Sequence, residues 1–179
     1  MALADLLKQM AHTSASGGGN YITKHGKYRL VLKSMEIDSK FGGDTFVAEL
    51  YIEKAEKIGS DEPHAAGTTI SFVQQFKDDK VRRQMAMANT KAFILALTNE
   101  EDFAETDEAA ATEFIKNLEM ACGKDNPLRG AAVDCETYSK LTKDKSKTLI
   151  LPKWIAIGDQ NADTMGARRK ALAGVEAAK

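Results

Sequence analysis

The sequence predicts a mainly β domain with helices, of the α+β class. Two observations lead there. Five segments alternate apolar and polar residues with the period of two that a half-buried strand requires. One long helical stretch, Asp78 to Thr98, falls after the third of them, and a second, acidic helix precedes the fourth.

Taken in order, residues 3–12 carry Leu3, Leu6, Leu7 and Met10 at helical spacing. Such a helix can dock on its own domain or contact a neighbouring subunit, and the residues leave both open. Ser14 to Asn20 (SASGGGN) has the composition of a flexible linker. The chain therefore divides into an N-terminal helix and Gly/Ser linker (1–20), a main domain (21–158) and a C-terminal tail (159–179), polar at first, then alanine-rich and weakly helical.

Strand one spans Gly26 to Ile37, where Tyr28, Leu30 and Leu32 alternate with Arg29, Val31 and Lys33. The turn DSKFGGD, Asp38 to Asp44, holds two glycines between alternating runs, which signals a hairpin. Strand two, Thr45 to Lys54, points Phe46, Ala48, Leu50 and Ile52 inward and Val47, Glu49, Tyr51 and Glu53 outward. A polar connection (55–67) leads to strand three, Thr68 to Phe76, with Ile70 and Phe72 inward.

The helix from Asp78 to Thr98 has Val81, Met85, Ala88, Ala92 and Leu95 at steps of four and three, the expected buried face. Asp78 and Asp79 suit its N-terminus, because a carboxylate accepts the free amide protons there. Residues 99–123 are acidic and predict a second helix, capped by Thr106 or Asp107 and ended by Gly123. An acidic face repels nucleic acid and is expected away from any such surface. Strand four is Ala131 to Tyr138, with Val133 and Cys135 inward. Ser139 to Lys147 (SKLTKDKSK) is a basic loop, and strand five is Thr148 to Ile157, where Pro152 argues for an edge or a bulge.

The order β-β-β-α-β-β at this length is the signature of a five-stranded Greek-key barrel, the OB-fold, whose helix between strands three and four plugs one end. Such barrels bind oligonucleotides or oligosaccharides, although fold alone does not fix function.

Composition narrows the classes. The chain has 179 residues, 43% of them hydrophobic and 28% charged, with a formal net charge of −1. Bulk charge is neutral on nucleic acid, so only a local basic surface can argue for it. Cys122 and Cys135 form no secreted disulfide framework, which suggests a reducing cytoplasm. No apolar run reaches the roughly 18–20 residues of a membrane span, and no membrane association is expected.

Catalysis is not expected either. His12, His25 and His64 lie in or beside loops or a terminal segment without partners at ligand spacing. The two cysteines are thirteen residues apart with no nearby histidine. There is no GxxxxGK[ST] and no GxSxG motif. Neither a metal nor a cofactor is implied.

Binding is the stronger reading. In an OB barrel the loops joining strands one and two, and four and five, rise on either side of the face made by strands two and three. Lys40 and Phe41 would stand on one wall, and Lys140, Lys143, Lys145 and Lys147 on the other. Single-stranded nucleic acid needs cations along the phosphates and flat rings under the bases. The lysines supply the first, extended by Arg29 and Lys33. Phe41, Tyr51, Tyr138 and Trp154 are candidates for the second. Each has a plainer role: a lysine loop serves solubility, Phe41 can fold back on the barrel, and the parity of Trp154 fits stacking or core.

Several local motifs add a resemblance. They are GKYRLVLKSMEID, FGGDTFVAELYIEKAE, TTISFVQQF running into a helix ending KAFILAL, and GAAVDCETY followed by a lysine-rich hairpin and LPKW. Over about Gly26 to Ile157 the chain resembles the OB-fold single-stranded-DNA-binding proteins encoded by bacteriophages. The resemblance implies non-sequence-specific protection of single-stranded DNA in phage replication, recombination or repair. It also implies phage replication or recombination proteins as partners, no metal or cofactor, and action in the cytoplasm of the infected bacterium. Many such binders end in an acidic tail that recruits partner enzymes. ARRKALAGVEAAK is not acidic, so that recruitment is not implied. The alternative is a non-catalytic interaction or assembly module on the same barrel, for which a homo-oligomer is a natural form.

Overall fold

The alternation read from the sequence builds one antiparallel sheet around its first strand. The computed structural model describes residues 3–11, 22–38 and 44–178. The linker at 14–20, and Lys40 and Phe41 in the first turn, lie outside the described residues. Strand β1 (Lys27–Asp38) pairs with β2 (Thr45–Glu56) on one side and β4 (Ala132–Leu141) on the other. Strand β3 (Thr69–Gln75) joins β2, and β5 (Thr148–Ile155) joins β4, giving the order β3-β2-β1-β4-β5. The sheet is open. No ladder joins β3 to β5 among the described residues, but the two edges meet through Phe72 and Trp154, whose ring centroids are 5.0 Å apart.

One face of the sheet carries the core. Tyr28, Leu30, Leu32, Phe46, Ala48, Leu50, Ile52, Phe72, Val133 and Cys135 are all buried in one cluster, as the period of two requires. A register shift between Leu32 and Ser34 breaks the alternation, so Met35 is buried where Ser34 would otherwise point inward. Burial pushes the Cys122 thiol up to about 12 and raises that of Cys135 too. Both cysteines are free and stay protonated as apolar filling.

Three helices cover that face. Helix α2 (Lys80–Thr98) starts at Asp79, whose side chain accepts the Arg82 amide at 2.8 Å, and ends at Asn99 in a left-handed conformation. Its buried side is not the stripe expected from spacing. Val81 and Met85 are 66% and 58% exposed, Ala92 is half-buried, and only Ala88 and Leu95 of that set are buried. At about 1.5 Å per residue the helix is about 28 Å long, and its first turns project beyond the core. Its second half is enclosed on nearly all sides, burying Thr90, Lys91, Phe93, Ile94 and Leu97. Lys91 is tolerated there because Asp102 lies 2.8 Å from its Nζ and the Phe103 ring centroid 3.8 Å away.

Helix α3 (Glu108–Ala121) is capped by Asp107 and buries Ala111, Phe114, Leu118 and Ala121 at steps of three and four. Helix α1 (Leu3–Ala11) packs against α2 and α3 with Leu6, Leu7 and Met10 fully buried. It therefore docks on its own domain.

The opposite face is covered in part by residues expected to be a polar, weakly helical tail. They form α4 (Ala162–Ala177), started by a capping box between Asn161 and Thr164. Leu172 of α4 packs with Val31, Ala132, Ile157 and Tyr51. Arg168 pairs with Glu53 at 3.1 Å, and Arg129 holds Glu176 with two bonds of 2.9 and 3.0 Å. Gly130 has φ of +87°, and a Cβ there would meet the Met165 carbonyl oxygen at 2.7 Å. Helix and sheet approach too closely for any side chain at that position.

Phe93 is fully buried against Phe46, Phe72 and Trp154. Phe93→Ala is expected to lower unfolding free energy by about 3–5 kcal/mol in urea melts. Val81→Ser, at the projecting end of the same helix, should change it by less than about 0.5 kcal/mol. Equal costs would contradict this division of α2.

Candidate nucleic-acid interface

The cations expected to bind phosphate separate into two groups. Arg29 on β1 is held by Asp134 of β4 through Nε and Nη2 at 2.8 and 2.9 Å. These bonds keep the guanidinium charged more firmly than usual, against the opposing effect of burial. Lys33 is 12% exposed, with Nζ 3.4 Å from Glu49. Both charges are already answered by carboxylates across the sheet.

The lysines at the tip end of the β4–β5 hairpin are not. Lys140, Lys143, Lys145 and Lys147 are exposed, and no ion pair engages them among the described residues. Strand β4 runs on to Leu141, beyond the expected end at Tyr138. Lys140, expected in the basic loop, therefore stands on the strand with Tyr138. A ladder strand fixes direction, so both point away from the core face.

The hairpin tip is built, not slack. The Thr142 amide donates to the Lys147 carbonyl at 2.9 Å, and the Lys145 amide to the Thr142 carbonyl at 2.9 Å. Asp144 Oδ1 accepts the Thr142 hydroxyl at 2.6 Å and the Ser146 amide at 3.1 Å. Hydrogen bonds from Thr142 and Ser146 hold the Asp144 carboxyl down to about 2. Lys145 has φ of 57°, the left-handed region. Its side chain is thrown outward by the turn.

The expected aromatic residues also divide. Trp154 packs in the core, 4.9 Å from Phe93 and 5.0 Å from Phe72 between centroids, and its indole Nε1 is buried. Tyr51 points to the outer face, as its parity required, but α4 packs against it. Tyr138 is 42% exposed. Of the rings expected to stack bases, it is the exposed one among the described residues.

Three features escaped the sequence. Pro152 is buried, so Trp154 also faces in and Leu149, Leu151, Lys153 and Ile155 face out. The run TLILPKWI is too apolar on both sides for alternation to reveal this. Second, the hairpin root is tied down. His25 Nδ1 lies 3.2 Å from Thr137 Oγ1 and His25 Nε2 lies 2.7 Å from Ser139 Oγ, while the Gly26 amide donates to Thr137 Oγ1 at 2.9 Å. These partners are more than a hundred residues apart, beyond any spacing rule. His25 is thus held between two hydroxyls, those of Thr137 and Ser139. Third, Glu136 lies 3.8 Å from Lys27 and opposite Lys153. The root of the ribbon is therefore mixed in charge and the tip basic.

Among the described residues no group of three His, Cys, Asp or Glu side chains could hold a metal ion. None of the helices is long and apolar enough to cross a membrane, again among the described residues. Comparison of the chain with protein-family models, curated proteins and solved structures finds no match.

A depressed carboxyl orders the tip only while ionised. The order is expected to be complete above pH 4, the ordinary range of an aspartate, and to fade as pH falls through about 2. The Ser146 amide should exchange slowly with solvent at pH 5. Asp144→Ala should expose it at every pH; unchanged protection in that variant would remove Asp144 from the account of the tip.

Proposed function

We propose that this chain binds single-stranded nucleic acid through backbone charge, without sequence preference. DNA is the ligand on its resemblance to the phage-encoded binders. One observation carries the reading: among the described residues four lysines on an ordered hairpin make no ion pair, while Arg29 and Lys33 on neighbouring β1 are neutralised by carboxylates. Lysine presents a point charge with no planar fork for base edges, which suits phosphate and not sequence.

The finer fold belongs to the same proposal. An order in which β3, β2 and β1 are consecutive neighbours and β4 returns beside β1 is that of a Greek key. Contact of β3 with β5 through Phe72 and Trp154 is what a partly open OB barrel would show, with α2 against the gap. On this reading the protein coats displaced strands and shifts melting equilibria by binding only the open form. It would do so in replication, recombination or repair of phage DNA in the host cytoplasm.

The test is salt-dependent binding of a labelled thymine oligonucleotide by anisotropy. Each phosphate contact on a single strand contributes about 0.7 to the slope of log K against log salt. Replacing Lys140, Lys143, Lys145 and Lys147 with alanine should weaken binding at low salt and flatten that slope by up to about 3. Unchanged affinity would remove the hairpin from the interface.

A second reading rests on a separate feature. Val81 and Met85, four residues apart on α2, are largely exposed, which suits an assembly module. A stable oligomer with no affinity for any oligonucleotide at low salt would favour it over nucleic-acid binding.

A further inference from the structure

We propose that the outer face of the β4–β5 ribbon is the stacking platform for unpaired bases, with Tyr138 as its ring. It would take the place of the β2 face that α4 covers. The inference rests on the binding reading above and assigns its base-contacting surface.

Register defines the platform. On the outer face the cross-strand pairs are Glu136 with Lys153, Tyr138 with Leu151, and Lys140 with Leu149. Side chains directly opposite one another are about 5 Å apart, and successive rows on one face are about 6.8 Å apart. Tyr138 therefore lies flanked by an aliphatic neighbour, with Lys140 one row toward the tip and Lys153 diagonally toward the root. A base stacked on the ring would meet Leu151 at its edge and leave its phosphates within reach of those two lysines.

The alternatives on the sheet are closed. Tyr28, Phe46 and Phe72 are buried. Trp154 is turned into the core, and Tyr51 is packed against the Leu172 cluster. Helix α4 is held by Arg168–Glu53, Arg129–Glu176 and the close approach at Gly130. It is a fixed part of the fold over β1 and β2, not a tail that a ligand would displace.

Charge gives the track a direction. Toward the root lie Asp134 and Glu136, both engaged with cations of β1. Toward the tip lie Lys140, Lys143, Lys145 and Lys147, with the exposed Asp144 hydrogen-bonded to Thr142 and Ser146. The strand would run from Tyr138 toward the tip. A duplex, whose bases are already stacked on both faces, could touch the lysines but not the ring. Tyr138 should thus contribute to single-strand affinity alone.

The experiment compares wild-type protein with Tyr138→Ala, Tyr138→Phe and Tyr51→Ala, using anisotropy of a labelled thymine oligonucleotide and of a labelled duplex. Tyr138→Ala should weaken single-strand binding about 5- to 150-fold, the effect of losing one base–aromatic stack. Its salt slope should be unchanged, since no phosphate contact is lost, and duplex affinity should stay within about twofold. Tyr138→Phe and Tyr51→Ala should bind the single strand within about twofold of wild type. Tyr138→Thr, which keeps strand propensity, replaces the alanine variant if that one melts early. If wild type binds and Tyr138→Ala, or Tyr138→Thr in its place, binds equally well, the platform is wrong and the lysine reading stands. The platform is equally wrong if Tyr51→Ala carries the loss. If wild type binds no oligonucleotide at low salt, both fall together.

Discussion

The inward packing of Trp154 is the contact on which the rest of this structure depends. Its ring meets Phe72 of β3 and Phe93 of α2 at about the same separation, 5.0 and 4.9 Å. One side chain thus joins both edges of an open sheet to the helix that covers it. It also sets parity. With Trp154 and Pro152 facing in, Leu149, Leu151, Lys153 and Ile155 must face out. Antiparallel register then puts Tyr138 opposite Leu151 and Lys140 opposite Leu149. A core contact in this way determines the chemistry of the surface behind it.

Electrostatics sort that surface further. The centre of the sheet is self-neutralised: Arg29 with Asp134, Lys33 with Glu49, Lys27 with Glu136. Such pairs contribute little stability where exposed, but they leave no net charge for an incoming anion. The hairpin lysines make no ion pair among the described residues and ride on a turn stiffened by Asp144, with the root fastened by His25, Thr137 and Ser139. A stiff tip loses less conformational freedom when a strand is bound. The helices α1 and α3 pack on the core side of the sheet, and α4 on the other.

Much of this was legible in the residues because period and punctuation carry it. The strands β1, β2 and β3 show themselves by Tyr28-Leu30-Leu32, Phe46-Ala48-Leu50-Ile52 and Ile70-Phe72. Helix α2 shows itself by an uninterrupted run after Asp79. What failed did so for identifiable reasons. The stripe Val81-Met85-Ala88-Ala92-Leu95 assumes one buried side, whereas α2 packs between the sheet and α1 along its second half and exposes Val81 and Met85 at its start. Trp154 could not be oriented because β5 is apolar on both faces. Tyr51 had the right parity but the wrong surroundings, since α4 has one buried apolar residue, Leu172, and no amphipathic pattern to announce it. Arg29 and Lys33 looked like free cations because Asp134 and Glu49 are distant in sequence and adjacent only through register.

The most direct test is an amide-resolved NMR titration of the isotopically labelled protein with a short thymine oligonucleotide. Shifts concentrated in residues 136–155, with β2 and β3 nearly silent, are the expected result. Shifts concentrated on the outer residues of β2 and β3, such as Glu49, Tyr51 and Val73, with the ribbon silent, would contradict the assignment of the interface.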